Sequence, residues 1–195
     1  MKIVKAKKMK YLRIIKHVIS FALVVIVIVC FVYRYDKINT KYPTPQRVEY
    51  QMGEIVDYND VKLLLKDFQI LAINDVIDTY NLNKDDYVTA SALEETVALA
   101  RLRIQNDTNE KMKIQIYKLC LQSGAWSNEI NYELYLSLNS GIGIELTLSS
   151  GEMLDIVLPF SAYNSQFNKN DWESFSSRKF ELCLSSYPQK RVIII

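Results

Sequence analysis

The chain has 195 residues, 49% of them hydrophobic, with 24 Lys and Arg against 22 Asp and Glu and a single histidine. The near-balance hides an asymmetry, because residues 1–33 hold seven of the basic residues and no acidic one, which leaves 17 against 22, about −5, for the remainder. A remainder of that sign is unsuited to nucleic acid. With the one imidazole at His17, the same remainder also lacks what Ser–His and Cys–His hydrolases, sortase-type transpeptidases and His-based zinc sites require.

In chain order, the first element is the uncharged run Val18 to Tyr33, VISFALVVIVIVCFVY. As a helix it spans about 24 Å against a hydrocarbon core of about 30 Å. Ile14 and Ile15 lengthen the apolar face, Lys16 can reach back to the headgroups, and Tyr11, Tyr33 and Tyr35 sit where an aromatic belt lies. The run therefore predicts a transmembrane helix over 18–33. Lys2, Lys5, Lys7, Lys8, Lys10, Arg13 and Lys16 precede it without a carboxylate, so the positive-inside bias predicts a cytoplasmic tail over 1–17 and an extracellular C-terminal domain. Signal-peptide cleavage needs small residues, whereas Cys30, Phe31, Val32 and Tyr33 end the run. Lipidation of Cys30 meets a branched Val29 before it and apolar residues after it, so Cys30 is expected to face lipid.

Residues 34–51 are polar, with Pro43 and Pro45 two apart, and predict an extended stalk. The domain is expected over 52–195. Glu54 to Val56 reads as an edge strand, Asp57 to Asp60 (DYND) as a turn, and Val61 to Leu71 as a strand. Residues 73–90 are rich in Asn and Asp without sustained period, which predicts a loop or insertion. Ser91 to Glu94 has the S-x-x-E pattern of a helix start. Period-two alternation predicts a strand from Thr96 to Gln105, a turn at 106–110, and a second strand through Met112, Ile114 and Ile116 that closes a hairpin with the first. Tyr132 to Leu138 is ambiguous. Ile142 to Leu148, Leu154 to Leu158, Phe180 to Leu184 and Val192 to Ile195 alternate as strands, and 161–177 reads as a long connection with one helical turn at most. Seven or more short strands bounded by turns predict a mainly β fold, a β-sandwich.

Few residues carry chemistry. Asp57 with Asp60, Asp85-Asp86 and Glu94-Glu95 lack calcium-loop spacing and read as solvated carboxylates. Gly141-x-Gly143 lies within the alternating stretch from Ile142, not ahead of a helix, so no phosphate cradle is expected. Trp126 and Trp172 are the candidate partner-binding residues, although large aromatics of a sandwich more often fill or seal its core. An exported location lets Cys120 and Cys183 pair as a disulfide. The alternative is that Cys183, between Leu182 and Leu184, points outward with Lys179 and Glu181. Asn106-Asp107-Thr108 matches a glycosylation sequon in a eukaryotic secretory pathway.

The stretches YPTPQRVEYQMGEIV (42–56), VALARLRIQNDTNEK (97–111), SSGEMLDIVLPFS (149–161), Asp171-Trp172 and ELCLSSYPQKRVII (181–194) occur in an order that resembles a family of small Gram-positive, membrane-anchored proteins of unknown function. The resemblance implies an immunoglobulin-like β-sandwich ectodomain and supplies no catalytic residue. The expectation is thus a single-pass, noncatalytic surface module with no cofactor, bound to the membrane and to an unidentified protein or cell-envelope ligand. The alternatives are a carboxylate-dependent hydrolase of envelope glycans and a structural subunit of a membrane complex.

Overall fold

A computed structural model describes residues 2–84, 87 and 94–195. The chain divides into two compact units, Met1–Thr44 and Pro45–Ile195.

The first unit is one helix, α1 (Lys2–Lys41). Its apolar side chains from Ile15 onward are exposed on every side, Phe21 at 72% and Val25 at 41% marking the range over Ile15 to Tyr35. The segment Ile15–Lys41 is long and apolar enough to cross a membrane. The extended stalk expected over 34–51 is not what forms. Arg34 to Lys41 holds no Gly or Pro and continues the helix, with the Asn39 side chain donating to the Tyr35 carbonyl at 2.8 Å. The helix stops where Tyr42 meets Pro43, because a residue before proline is pushed out of the α region. Residues 46–51 are a strand.

The second unit is a β-sandwich, as the alternation of its sequence predicts. Its strands are β1 (Gln46–Gln51), β2 (Ile55–Tyr58), β3 (Val61–Ala72), β4 (Glu95–Gln105), β5 (Met112–Gln115), β6 (Cys120–Ser123), β7 (Trp126–Glu129), β8 (Glu145–Leu148), β9 (Met153–Tyr163), β10 (Glu181–Ser185) and β11 (Gln189–Ile194). One sheet runs β1-β11-β10-β6-β7, the other β2-β3-β4-β9, and β5 pairs with β8 in a small third sheet. β1 and β11 are parallel, so the first and last strands of the unit close one sheet edge together. Leu63, Leu65, Ala100, Leu102 and Ile104 from one sheet meet Leu121, Leu182 and Ile193 from the other in the core. The small sheet adds Ile114, Leu146 and Leu148 to the same core.

β2 and β3 form the tight hairpin that DYND suggests. Asn59 and Asp60 both take positive φ, 49° and 65°, between the paired residues Tyr58 and Val61, which is the geometry of a two-residue primed turn. The expected hairpin of β4 with β5 does not form: β4 pairs with β3 and β9, and β5 with β8. The cause lies in Asn106, which holds the intervening loop against the turn before β9. The strand expected from Ile142 begins only at Glu145, since Gly141 takes a φ of 81° in the turn ahead of it.

Among the described residues three α-helices complete the unit: α2 (Ile73–Tyr80), α3 (Tyr132–Leu138) and α4 (Lys169–Glu173). α2 corrects the loop expected from residue 73. Ile73, Val76, Ile77 and Tyr80 recur at helical spacing, and Asn81 ends the helix in a left-handed conformation, its N–H turned back to the Ile77 and Asp78 carbonyls. Val76 joins Leu134 of α3 and the outward-facing Val97 and Leu99 of β4 in a second apolar cluster. This explains why β4 is buried on both faces through its first half. The Asp85-Asp86 pair and the start of the Ser91 to Glu94 pattern lie outside the described residues.

The outer edge of β9 is closed by side chains. Asn139, 6% exposed, accepts from the Val157 N–H at 2.8 Å and donates to the Val157 carbonyl at 2.8 Å and the Tyr135 carbonyl at 2.9 Å. One amide thereby replaces a neighbouring strand and blunts an edge that would otherwise offer unpaired backbone. Asn139→Ala is expected to destabilise the domain by about 2 kcal/mol, the cost of stranding those groups. Urea titration of the full chain checks this, and an unchanged midpoint would show that water replaces the amide.

Candidate functional site

The described surface offers a polar groove of about 640 Å³, lined by Asp57, Asn59, Asp60, Lys62, Asp107, Thr108 and Arg191. Its floor follows from the hairpin turn, which projects Asn59 and Asp60, and from the Asn106 loop, which brings Asp107 and Thr108 alongside. Arg191 of β11 donates to the Tyr50 hydroxyl at 2.9 Å and the Asp57 carbonyl at 2.5 Å, with its guanidinium 5.4 Å from the Tyr50 ring centre. Lys62 pairs with the Asp57 carboxylate. That hydrogen bond, with the charges of Asp57 and Asp107 behind it, raises the Lys62 ammonium above its ordinary value. The groove therefore carries both signs of charge within hydrogen-bond reach of one another. Such a surface suits a polar chain with alternating donors and acceptors better than a free cation. Among the described residues no group of three or more His, Cys, Asp or Glu side chains is placed to hold a metal ion.

Sequence reasoning picked out Asp57 and Asp60 but missed Asp107 and Arg191. Their meeting is set by the order of strands and leaves no local signal. Glu94 is spent elsewhere, its carboxylate accepting the Trp172 indole N–H at 2.8 Å.

The two candidate tryptophans sit in one aromatic cluster. Trp126 meets Phe175 edge-on at 5.4 Å between ring centres and Phe180 at 6.4 Å, while Trp172 lies 5.7 Å from Phe175 and 5.8 Å from Phe167. Arg178 places its guanidinium 5.5 Å from the Phe167 ring centre. Both indoles are half-buried and have their N–H satisfied, Trp126 by Gln166 at 3.2 Å. Their first task is to seal one end of the core, and only the part of each that stays exposed is open to a partner.

Cys120 and Cys183 stand directly opposite one another on β6 and β10, both as thiols. Cys183 does share its face with Glu181, but so does Cys120 across the ladder. Pointing outward and facing a partner are therefore the same orientation. The sequon asparagine is withdrawn from any glycosyl donor, since Asn106 is fully buried.

On the outer face of the second sheet, Arg103 binds Asp155 through Nε at 2.8 Å and Nη2 at 2.9 Å, and Lys66 adds a third contact at 3.2 Å. Chiefly through the Arg103 hydrogen bonds, the Asp155 carboxyl is held down from 3.8 to about 2. A value lowered by folding means stability that is present above about pH 4 and is lost as pH falls toward 2. Asp155 is 44% exposed, so solvent screening reduces the effect to less than about 1 kcal/mol. Asp155→Asn is expected to flatten that part of the stability curve in urea titrations across the acid range, and a curve of unchanged slope would count against the pairing.

A family model described as a domain of unknown function (DUF5028) matches residues 47–191. No curated protein matches the chain. Solved structures similar to it include a conserved hypothetical protein from Bacillus anthracis, with 12% identity, a TM-score of 0.46, and coverage of 73% of this chain and 94% of that one. An uncharacterised β-sandwich protein from Clostridium difficile 630 has 9% identity and a TM-score of 0.45, over 77% and 95% of the two chains. A functionally unknown protein from Listeria monocytogenes EGD-e has 10% identity and a TM-score of 0.44, over 67% and 71%.

Proposed function

Since the chain belongs to the DUF5028 family, whose description assigns it no activity, we propose from its own physical chemistry that it is a membrane-anchored, noncatalytic binding module of a Gram-positive cell. The observation that carries this reading is α1, a helix whose apolar side chains from Ile15 onward are exposed on every side. In water such a surface is untenable, and in hydrocarbon it is the expected one. The lysines and arginine of residues 2–16 favour a cytoplasmic tail over 1–17, with 18–33 in the bilayer and the β-sandwich outside.

The mixed-charge groove at the β2–β3 turn is the surface we assign to the partner, a protein or a cell-envelope component. The reading of the chain as noncatalytic rests on the lack of an imidazole beyond His17 and on the pairing of Asp57 with Lys62. A photo-crosslinking residue at position 60 in living cells tests this. One discrete adduct is expected, and it should vanish when Arg191 is reversed to Glu. Repeated absence of any adduct contradicts the assignment.

Three carboxylates on one groove give a second reading some footing, a glycan hydrolase acting on the envelope. It requires cleavage of isolated wall material that is abolished in Asp107→Asn. The binding reading requires no cleavage by either form.

A further inference from the structure

We propose that Cys120 and Cys183 are a modification site, joined in a cross-strand disulfide by a disulfide-bearing oxidant such as an oxidised thiol–disulfide oxidoreductase. The placement comes from the sheet register. Glu181, Leu182 and Cys183 of β10 stand opposite Gln122, Leu121 and Cys120 of β6. Directly opposed residues of antiparallel strands have Cα atoms about 4.5 or 5.5 Å apart, and both separations fall within the roughly 4.4–6.8 Å that a disulfide accepts. The register thus supplies the Cα spacing that a disulfide requires.

The two sulfurs differ in ways that order the reaction. Cys183 is 2% exposed, beside the fully buried Val192 of β11, whereas Cys120 is partly open to solvent next to Glu129 of β7. Cys120 is therefore the sulfur an incoming oxidant reaches. The Cys120 thiol, pushed up by its hydrogen bond to Cys183 and by burial, must first yield its proton to solvent. Its sulfur then attacks one sulfur of the donor disulfide, forms a mixed disulfide and releases the first donor sulfur, which takes up a proton. Cys183 then attacks the Cys120 sulfur and expels the second donor thiol, its own proton passing to solvent. Two electrons leave the cysteine pair and reduce one donor disulfide to two thiols. The resolving step is favoured by placement, since Cys183 stands directly opposite the Cys120 sulfur it attacks and keeps the Ser186 hydroxyl 3.8 Å away once the Cys120 S–H is gone.

The bridge would act where the sheet is weakest. Three residue pairs are all that join β6 to β10, and the β6–β7 hairpin attached through them carries Trp126 of the aromatic cluster. A covalent rung across that ladder fixes the hairpin and, through it, the exposed tryptophan face.

This site rests on register and not on the topology proposed above, so its failure leaves that topology standing. The test uses the full chain in detergent with Cys30→Ser to remove the third thiol. The reduced protein is exposed to oxidised glutathione, quenched in acid, alkylated with N-ethylmaleimide and digested for mass spectrometry. Two peptides linked through Cys120 and Cys183 are expected, the chain being about 2 Da lighter before digestion. The linkage should form at least tenfold faster than in denaturing urea. Cys183→Ser should stop at a stable glutathione adduct on Cys120, and Cys120→Ser should leave Cys183 unmodified. Complete alkylation of both cysteines, a lasting adduct in the unsubstituted pair, or equal rates in folded and unfolded protein would each overturn the proposal.

Discussion

Asn106→Asp is expected to destabilise the β-sandwich by about 3–5 kcal/mol. Asn106 is buried completely. Its Nδ2 donates to the carbonyls of Glu110 at 2.7 Å, Leu148 at 3.0 Å and Ser149 at 3.0 Å, and its Oδ1 accepts from the Thr108 N–H at 3.0 Å and hydroxyl at 2.7 Å. Its backbone is equally committed, the N–H to the Glu152 carbonyl and the carbonyl to the Gly151 N–H. Aspartate keeps the shape but turns a carboxylate oxygen toward three carbonyls. The group must then hold a buried charge against like dipoles or take up a proton at neutral pH, and either costs several kcal/mol. For a domain of this size the loss corresponds to a fall in Tm of roughly 10 °C or more. Thermal unfolding of the full chain in detergent measures it, and a fall below about 2 °C would mean that the loop is not pinned as described. Because Asp107 and Thr108 line the groove, loosening this loop should also abolish the crosslink at position 60.

Phe175→Ala is expected to cost about 3–5 kcal/mol and to shift the emission of both tryptophans toward that of exposed indole. Phe175, 2% exposed, touches Trp126, Phe167, Trp172 and Phe180, with ring centres 5.2 to 5.7 Å away. Removing the ring leaves a cavity lined by four aromatics that cannot collapse without losing their mutual geometry. Trp172→Ala, which removes a half-exposed ring, should cost clearly less. The chain has only two tryptophans, so fluorescence during urea unfolding reports this end of the core directly. If Trp172→Ala proved the more damaging of the two, the keystone would be misplaced and Trp172 would be the centre of the seal.

The strands were legible because alternate side chains of each enter the main core, even where, as in the first half of β4, the other face is covered by a second cluster. Val61 to Ala72 and Glu95 to Gln105 stand where period two puts them, whereas the strand expected to end at Leu158 runs on to Tyr163. The connection expected to begin at 161 holds three short helical segments, Asn164–Gln166, Lys169–Glu173 and Phe175–Ser177. α2 was obscured by its polar half. Asn74, Asp75, Asp78 and Thr79 look like loop residues until Ile73, Val76, Ile77 and Tyr80 are seen as one face packing on β4. The pairing of β5 with β8 was not legible, because a turn sequence such as NDTNE is as compatible with crossing between sheets as with reversing within one. For the same reason the groove could not be read from sequence. Asp57, Asp107 and Arg191 are distant in the chain and meet only through the order β2-β3-β4 in one sheet and the return of β11 in the other. The cysteine pair shows the limit most simply: alternation gives the face of Cys183, while only register reveals that Cys120 shares it.

The central claim is that α1 crosses a bilayer and delivers the β-sandwich to the outer surface. Adding protease to intact protoplasts tests it most directly. The account predicts that residues 45–195 are cleaved away while an N-terminal tag survives, and that lysis is needed to destroy the tag. Survival of the β-sandwich until lysis, with early loss of the tag, would contradict it.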